Sequence, residues 1–210
     1  MDREDVRYKL AGRGTSSNHS GRFERFSTTA IDDGWAGDDE PLPVLRTQVS
    51  EEIPRSVITY NRSPDLPFDR SINPYRGCEH GCVYCFARPS HAYLGLSPGL
   101  DFETRLIARP GAPDVLRREL AGKRYQVASI AIGTNTDPYQ PIEKDHRIMR
   151  GLLEVLSEVN HPVAIVTKGS LIERDIDILS DMAQRGLVRV GISVTTLDAK
   201  LSRLMEPRVP

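Results

Sequence analysis

The sequence predicts an α/β protein of strand–helix units around a parallel sheet or barrel, preceded by an irregular arm. Three observations carry that prediction. From residue 71 onward, apolar runs of strand length alternate with helical patterns, as in βαβ units with right-handed crossovers. Residues 1–54 lack any such rhythm. The polar clusters of the core each follow a strand, at the end where parallel barrels carry their functional groups.

The arm is read from composition. "AGRGTSSNHSGRFERF" is dominated by Gly, Ser, Asn and charge, and "DDGWAGDDEPLP" is acidic and contains proline. Such segments bury too little apolar surface to offset the entropy of ordering, so residues 1–54 are expected to be poorly ordered. Trp35 and the pair Phe23 and Phe26 are its candidate anchors. The core is then expected over residues 55–210, opening with a short β-branched strand at "RSVITY" (55–60).

In the core, "SINPY" leads from a first strand into a loop holding every cysteine of the chain. "DVLRREL" (114–120) reads as a helix, and the apolar run "VASIAIG" (127–133) as the next strand. "KDHRIMRGLLEVLSEVN" sets Ile148, Leu152, Val155, Leu156 and Val159 on one helical stripe. "PVAIVTKG" follows as a buried strand. Ser170 and Glu173 have the spacing of a capping box, for a helix through Met182 that stops at Gly186. "LVRVGISVTT" is apolar enough for a central parallel strand buried on both faces, and "AKLSRLM" begins a last helix.

Composition narrows the function classes. The 28 basic and 29 acidic residues nearly cancel, and residues 1–70 carry 10 against 13, so neither half is basic enough to announce nucleic-acid binding. No apolar stretch approaches the roughly 18 residues that cross a bilayer, and "MDREDVRYKLAGRG" lacks the apolar core of a signal peptide. A cytoplasmic protein is the expectation. In that reducing compartment, clustered cysteines point to metal binding or redox chemistry rather than to a disulfide.

The cysteines are Cys78, Cys82 and Cys85 in "GCEHGCVYCFARP", a C-x3-C-x2-C run with no fourth. Three thiolates can hold three irons of a 4Fe–4S cluster and leave one iron open, as catalysis requires. The alternative is a closed tetrahedral zinc site with His80 or His91 as fourth ligand, serving a binding module without catalysis. Zinc modules usually draw ligand pairs from two separate knuckles, so one compact loop suits a cluster better.

"GCEHGCVYC" resembles the CxxxCxΦC signature of the radical S-adenosylmethionine (SAM) superfamily, with Tyr84 as its aromatic. The wider stretches "INPYRGCEHGCVYCFARP", "GTNTDPYQPIE" and "VTKGSLIERD" are similar to the bacterial branch related to spore photoproduct lyase, often labelled DNA-repair-photolyase-related. The resemblance implies a partial (β/α) barrel of six units and an enzyme with two cofactors, a 4Fe–4S cluster and SAM. It implies that SAM chelates the open iron, that an electron from a flavodoxin- or ferredoxin-type reductant breaks the sulfonium–C5′ bond, and that the resulting 5′-deoxyadenosyl radical abstracts hydrogen from a substrate. Cys78, Cys82 and Cys85 map onto the cluster ligands. Tyr84, Thr136, Asp137, Lys168 and Ser193 map onto SAM contacts, Lys168 toward its carboxylate.

Two departures bear on the resemblance. Four strand–helix units are found where six are implied, so the sequence is expected to be the N-terminal part of a longer protein. No cysteine follows Cys85, whereas the lyase's hydrogen-donating cysteine lies well downstream, so repair of a thymine photoproduct is not inferred. His146 and His161 read as surface or helix-end residues, and Arg76 and Arg88 as structural.

Overall fold

The computed structural model describes residues 12–23 and 44–210. Along the chain run β1 (Gln48–Glu51), β2 (Thr59–Tyr60), β3 (Arg70–Ile72), β4 (Tyr75–Arg76), α1 (Leu100–Thr104), β5 (Arg105–Ala108) and α2 (Ala112–Leu120). Then follow β6 (Ile130–Ile132), α3 (Glu143–His146), α4 (Ile148–Glu158), β7 (Val163–Thr167), α5 (Ile176–Gln184), β8 (Val188–Ile192) and α6 (Ala199–Met205). The anchors Phe26 and Trp35 lie outside the described residues.

Five strands form the main sheet in the order β2-β3-β6-β7-β8. β3, β6, β7 and β8 are mutually parallel, and β2 runs antiparallel on the β3 side. The parallel register aligns Ile72 with Ile132, and Ile132 with Ile165. The expected α/β class and the alternation of strands with helices are present. Among the described residues the sheet is open and does not close into a barrel.

The helices cover one face of this sheet. Ile148, Met149, Leu152, Leu153, Val155 and Leu156 of α4 are buried, and α4 packs against α2 and α5. On β7, Val163 and Ile165 point into that core while Val166, on the other pleat, is 50% exposed. The alternation is the period-2 pattern of a sheet covered on one side.

Three expectations of local structure are corrected. Ser170–Asp175 forms a 3-10 turn without a side-chain cap, so the Ser170/Glu173 box is not made. The α-helix starts at Ile176, because the Asp175 carboxylate is buried and bound to Arg174 and Tyr139. Its end is as read, with Gly186 at φ 69 and the Leu187 N–H returning to the Met182 carbonyl. β8 is half open rather than buried on both faces, Val190 being 39% and Ile192 56% exposed; among the described residues it is an edge strand, paired with β7. Val159 closes α4 as its exposed C-terminal cap instead of continuing the stripe.

The sequence also hid a second sheet. β1, β5 and β4 pair in that order, β1 parallel and β4 antiparallel to β5; β4 and β5 lie in the long crossover from β3 to β6, and β1 comes from the segment before β2. β1 lies inside the segment expected to be irregular; its four residues are all exposed, so no apolar alternation marks them. The strand expected at 55–60 is reduced to β2, and the amides of Val57 and Ile58 donate instead to Glu119 Oε2, each at 3.1 Å. Leu152→Ala, at a fully buried position, should lower stability by about 2–5 kcal/mol. Val166→Thr on the open face should change it by no more than about 0.5 kcal/mol. Urea denaturation of both variants measures the contrast.

Candidate functional site

The loop after β4 begins at Gly77 and is fastened by its own backbone. Cys78 N–H donates to the Phe102 carbonyl at 2.9 Å, and Glu79 N–H to Gln140 Oε1 at 2.8 Å. Gln140 returns a hydrogen bond from Nε2 to the Gly77 carbonyl at 3.1 Å, gripping the loop through both ends of its amide. Val83 N–H donates to the Met205 carbonyl, and Arg208 N–H to that of His80. Residues after α6 thus lie across the loop, joined also by an Arg208–Glu79 ion pair at 2.9 Å.

Within this frame Cys78 and Cys82 are buried and Cys85 is half-buried. Burial pushes the Cys78 thiol well above its usual range and Cys82 up to about 11, so these two metal-free thiols keep their protons. A metal would displace those protons. Among the described residues, no three Cys, His, Asp or Glu side chains gather as the ligands of a single ion would. Three thiols on one short loop are the kind of donor set an iron–sulfur cluster takes. The two histidines of the zinc alternative are each held on one side, and Nδ1 of each is buried without a hydrogen-bond partner among the described residues. His91 Nε2–H donates to the Arg105 carbonyl at 3.0 Å, and His80 Nδ1 sits 3.5 Å from Asp137 Oδ2.

Asp137 joins this loop to the sheet. One carboxylate oxygen accepts from Thr167 Oγ1 at 2.6 Å and Tyr139 N–H at 2.9 Å, and the other accepts from Lys168 N–H at 2.7 Å. Burial opposes its ionisation, yet His80, Thr167 and the Lys168 amide together hold the carboxyl below its usual range. Thr136, beside it, is 2% exposed and spends its hydroxyl on the Tyr75 carbonyl at 2.9 Å.

A second polar cluster forms where β7 and β8 end. Lys168 Nζ lies 2.9 Å from Ser193 Oγ, 3.1 Å from Thr195 Oγ1 and 2.7 Å from Glu206 Oε1, and 5.6 Å from the centre of the Tyr84 ring. The Tyr84 hydroxyl donates to Glu206 and lies 2.9 Å from Thr195 Oγ1. Partial burial works against both charges, but each partner holds the other ionised, Lys168 above and Glu206 below its ordinary value. Of the five residues mapped onto SAM contacts, Tyr84, Lys168 and Ser193 therefore converge, whereas Thr136 and Asp137 are turned into internal bonds beneath them.

Sequence reasoning missed Glu206 and Gln140. Glu206 sits in "MEPRVP", which offered no strand end to place it on, and Gln140 follows a turn without a metal or nucleophile spacing. Arg76 and Arg88 each pair with a carboxylate, Glu52 and Glu103. His161, expected at the surface or a helix end, lies just past the end of α4 and is 2% exposed; its Nδ1–H donates to the Pro162 carbonyl, leaving Nε2 to accept from Tyr125. An apolar groove of about 360 Å³ between α5 and β8 shares no residue with these clusters.

Residues 72–210 match the family model of the radical SAM superfamily. The chain belongs to the radical SAM superfamily. It is 41% identical over 145 residues to uncharacterized proteins of Mycobacterium bovis and Mycobacterium tuberculosis, covering 69% of this chain and 43% of each of theirs. An uncharacterized protein of Methanocaldococcus jannaschii is 26% identical over 140 residues, which is 66% of this chain and 49% of that one. The matched part of the chain spans less than half the length of these relatives. No solved structure matches it significantly.

The Asp137 arrangement makes a measurable prediction for this radical SAM protein. Asp137→Asn keeps the shape but turns an amide N–H₂ toward groups that themselves donate. Each donor left unpaired in the interior costs about 1–3 kcal/mol. Urea unfolding should show at least one such loss, and an unchanged midpoint would contradict the bridging role.

Proposed function

We propose that this chain carries the cofactor-binding part of a radical SAM enzyme, with the three cysteines holding a 4Fe–4S cluster and the ends of β7 and β8 holding SAM. The observation that carries the reading is the meeting of Tyr84, from the cysteine loop, with Lys168 and Ser193, from two separate strand ends. When bound, the cluster supplies a reducing electron to SAM and an open iron to hold it. Lys168 offers a charged ammonium to the SAM carboxylate, and Ser193 a hydroxyl beside it. Tyr84 offers an aromatic face near the adenine.

Glu206 keeps the Lys168 ammonium charged and fixed before SAM arrives, so a competing carboxylate meets a group already aimed. Asp137 and Thr136 act from below, the first by holding the Lys168 backbone and the His80 side of the cysteine loop, the second through Tyr75. The four parallel strands and their helices are proposed as the first units of a partial barrel. The similarity of "GTNTDPYQPIE" and "VTKGSLIERD" to the spore photoproduct lyase-related branch supports membership there. A flavodoxin- or ferredoxin-type reductant and a cytoplasmic setting belong to the same proposal. Among the described residues no helix is long and apolar enough to cross a membrane, and the near-neutral charge lends a nucleic-acid substrate no support.

Anaerobic reconstitution with iron and sulfide, followed by metal analysis and an assay for 5′-deoxyadenosine with SAM and reductant, tests the reading. Iron and sulfide should bind to the native protein, and Cys78→Ala should abolish or severely impair assembly. Zinc retained with no iron would sink the cluster. Lys168→Ala should leave the cluster in place and weaken SAM binding roughly ten- to a hundred-fold, as loss of a charge-assisted hydrogen bond does. Unchanged affinity would remove Lys168 from the site.

A further inference from the structure

The described stretch of the arm, residues 12–23, is not remote from the site: it lies along the outer side of the cysteine loop. Gly14 touches Gly81, and a Cβ built on Gly14 would collide with the Gly81 carbonyl oxygen. Gly81 itself has φ 68, in the left-handed region, and a Cβ there would meet Glu103 Oε2 at 2.8 Å, so neither glycine admits a side chain without displacing a neighbour. Gly14 N–H donates to Glu103 Oε2 at 3.0 Å. The other oxygen of Glu103 accepts from Arg88 Nη2 at 2.5 Å, and that same nitrogen reaches the Cys82 carbonyl at 3.1 Å.

Glu103 is 0% exposed, so each of its partners is a protein group. Arg13 fastens the contact with hydrogen bonds to the Glu103 carbonyl, the Leu45 carbonyl and Thr47 Oγ1, all between 3.0 and 3.1 Å. Thr47 in turn donates to Glu79 inside the cysteine loop. Further along, the Ser17 carbonyl accepts from Leu100 N–H at 2.9 Å, and Asn18 and Asp101 exchange two hydrogen bonds. None of these residues belongs to the main sheet or to α2, α4 and α5.

We infer that Arg13 and Gly14 form a strap that positions the cysteine loop, acting through Glu103 and Arg88 on Cys82. The function of that positioning rests on the loop being the cluster site, but the strap itself does not. With the strap seated, the Glu103 carboxylate has both oxygens paired and Arg88 is held against Cys82. With the strap lifted, Glu103 loses a backbone donor, Gly81 is opened to water, and Cys82 gains freedom while the sheet stays folded.

Two full-chain variants test this. Gly14→Ala removes the close approach. Glu103→Gln keeps the shape but faces one of its two donors with an amide N–H₂. In metal-free, reduced protein, alkylation of each cysteine by iodoacetamide is followed by mass spectrometry beside the urea midpoint. Both variants should speed Cys82 alkylation roughly ten- to a hundred-fold while Cys78 keeps its native rate, with the Glu103→Gln midpoint falling by no more than one unpaired donor costs. After anaerobic reconstitution they should hold less iron, or give an altered electron paramagnetic resonance spectrum of the reduced cluster. Native Cys82 rates in both variants would overturn the strap, as would a rise at all buried thiols that follows a fallen midpoint. Should the native protein bind no iron while the variants still expose Cys82, the cluster reading fails and the strap stands.

Discussion

The Asp137 carboxylate is the interaction on which the arrangement of the site depends. It stands between the second strand of the parallel run and the cysteine loop, and its partners come from three places: its own turn, the end of β7, and His80 of the loop. A buried carboxylate is tolerable only when its lone pairs are filled, and here they are. The gain is geometric. Lys168 leaves β7 with its backbone held on Asp137, so its side chain starts from a fixed point before reaching the Tyr84 face.

Behind that point a second buried acid does similar service for the helices. Glu143 is 0% exposed and accepts from the amides of Ile148 and Met149 at the start of α4, from the Tyr75 hydroxyl and from Arg174. Burial is the dominant influence on it and raises its pKa despite these donors. Arg174 also bonds Asp175, which holds Tyr139, two residues beyond Asp137. The stretch Thr136 to Glu143 therefore ties the loop side to the helix side: Thr136 and Gln140 reach toward the cysteine loop, Tyr139 and Glu143 toward α4 and α5. Removing one member of such a network exposes the desolvation cost of the others, so its parts act together.

How far the sequence could be read follows the same division. Periodicity located α4 because one face of it is buried against the core, apolar runs located β6, β7 and β8, and the cysteine spacing located the loop. The Ser170/Glu173 signal failed because a tertiary anchor, Asp175, outcompeted a local cap. β1 carried no alternation to read, since it is exposed throughout and is held by pairing. Lys168, Ser193 and Tyr84 could be gathered from their strand-end positions, but the inward turn of Thr136 and Asp137 could not. Spacing says which loop a side chain occupies, while its direction is set by long-range partners such as Tyr75 and Thr167. Glu206 was illegible for the same reason, lying 38 positions from the lysine it meets, with no periodic pattern between them.

The Lys168–Glu206 pair shows how the rim is kept ready. Glu206 is held below its ordinary pKa, so its stabilising contribution is present above that ordinary value and fades as pH falls through the lowered one. Lys168 is held above its ordinary pKa, so its contribution is present below that value and is lost only as pH rises through the raised one. The two windows overlap across the whole neutral range, and there the ion pair is complete. Segment 205–209 is thereby drawn over the cysteine loop, where Met205 and Arg208 complete backbone bonds to Val83 and His80. An approaching anion therefore finds Lys168 charged and oriented but shared, and must bind it in competition with Glu206. Under the proposed SAM-binding role, that competition would disfavour a simple carboxylate relative to a ligand whose other groups also engage Tyr84 and Ser193.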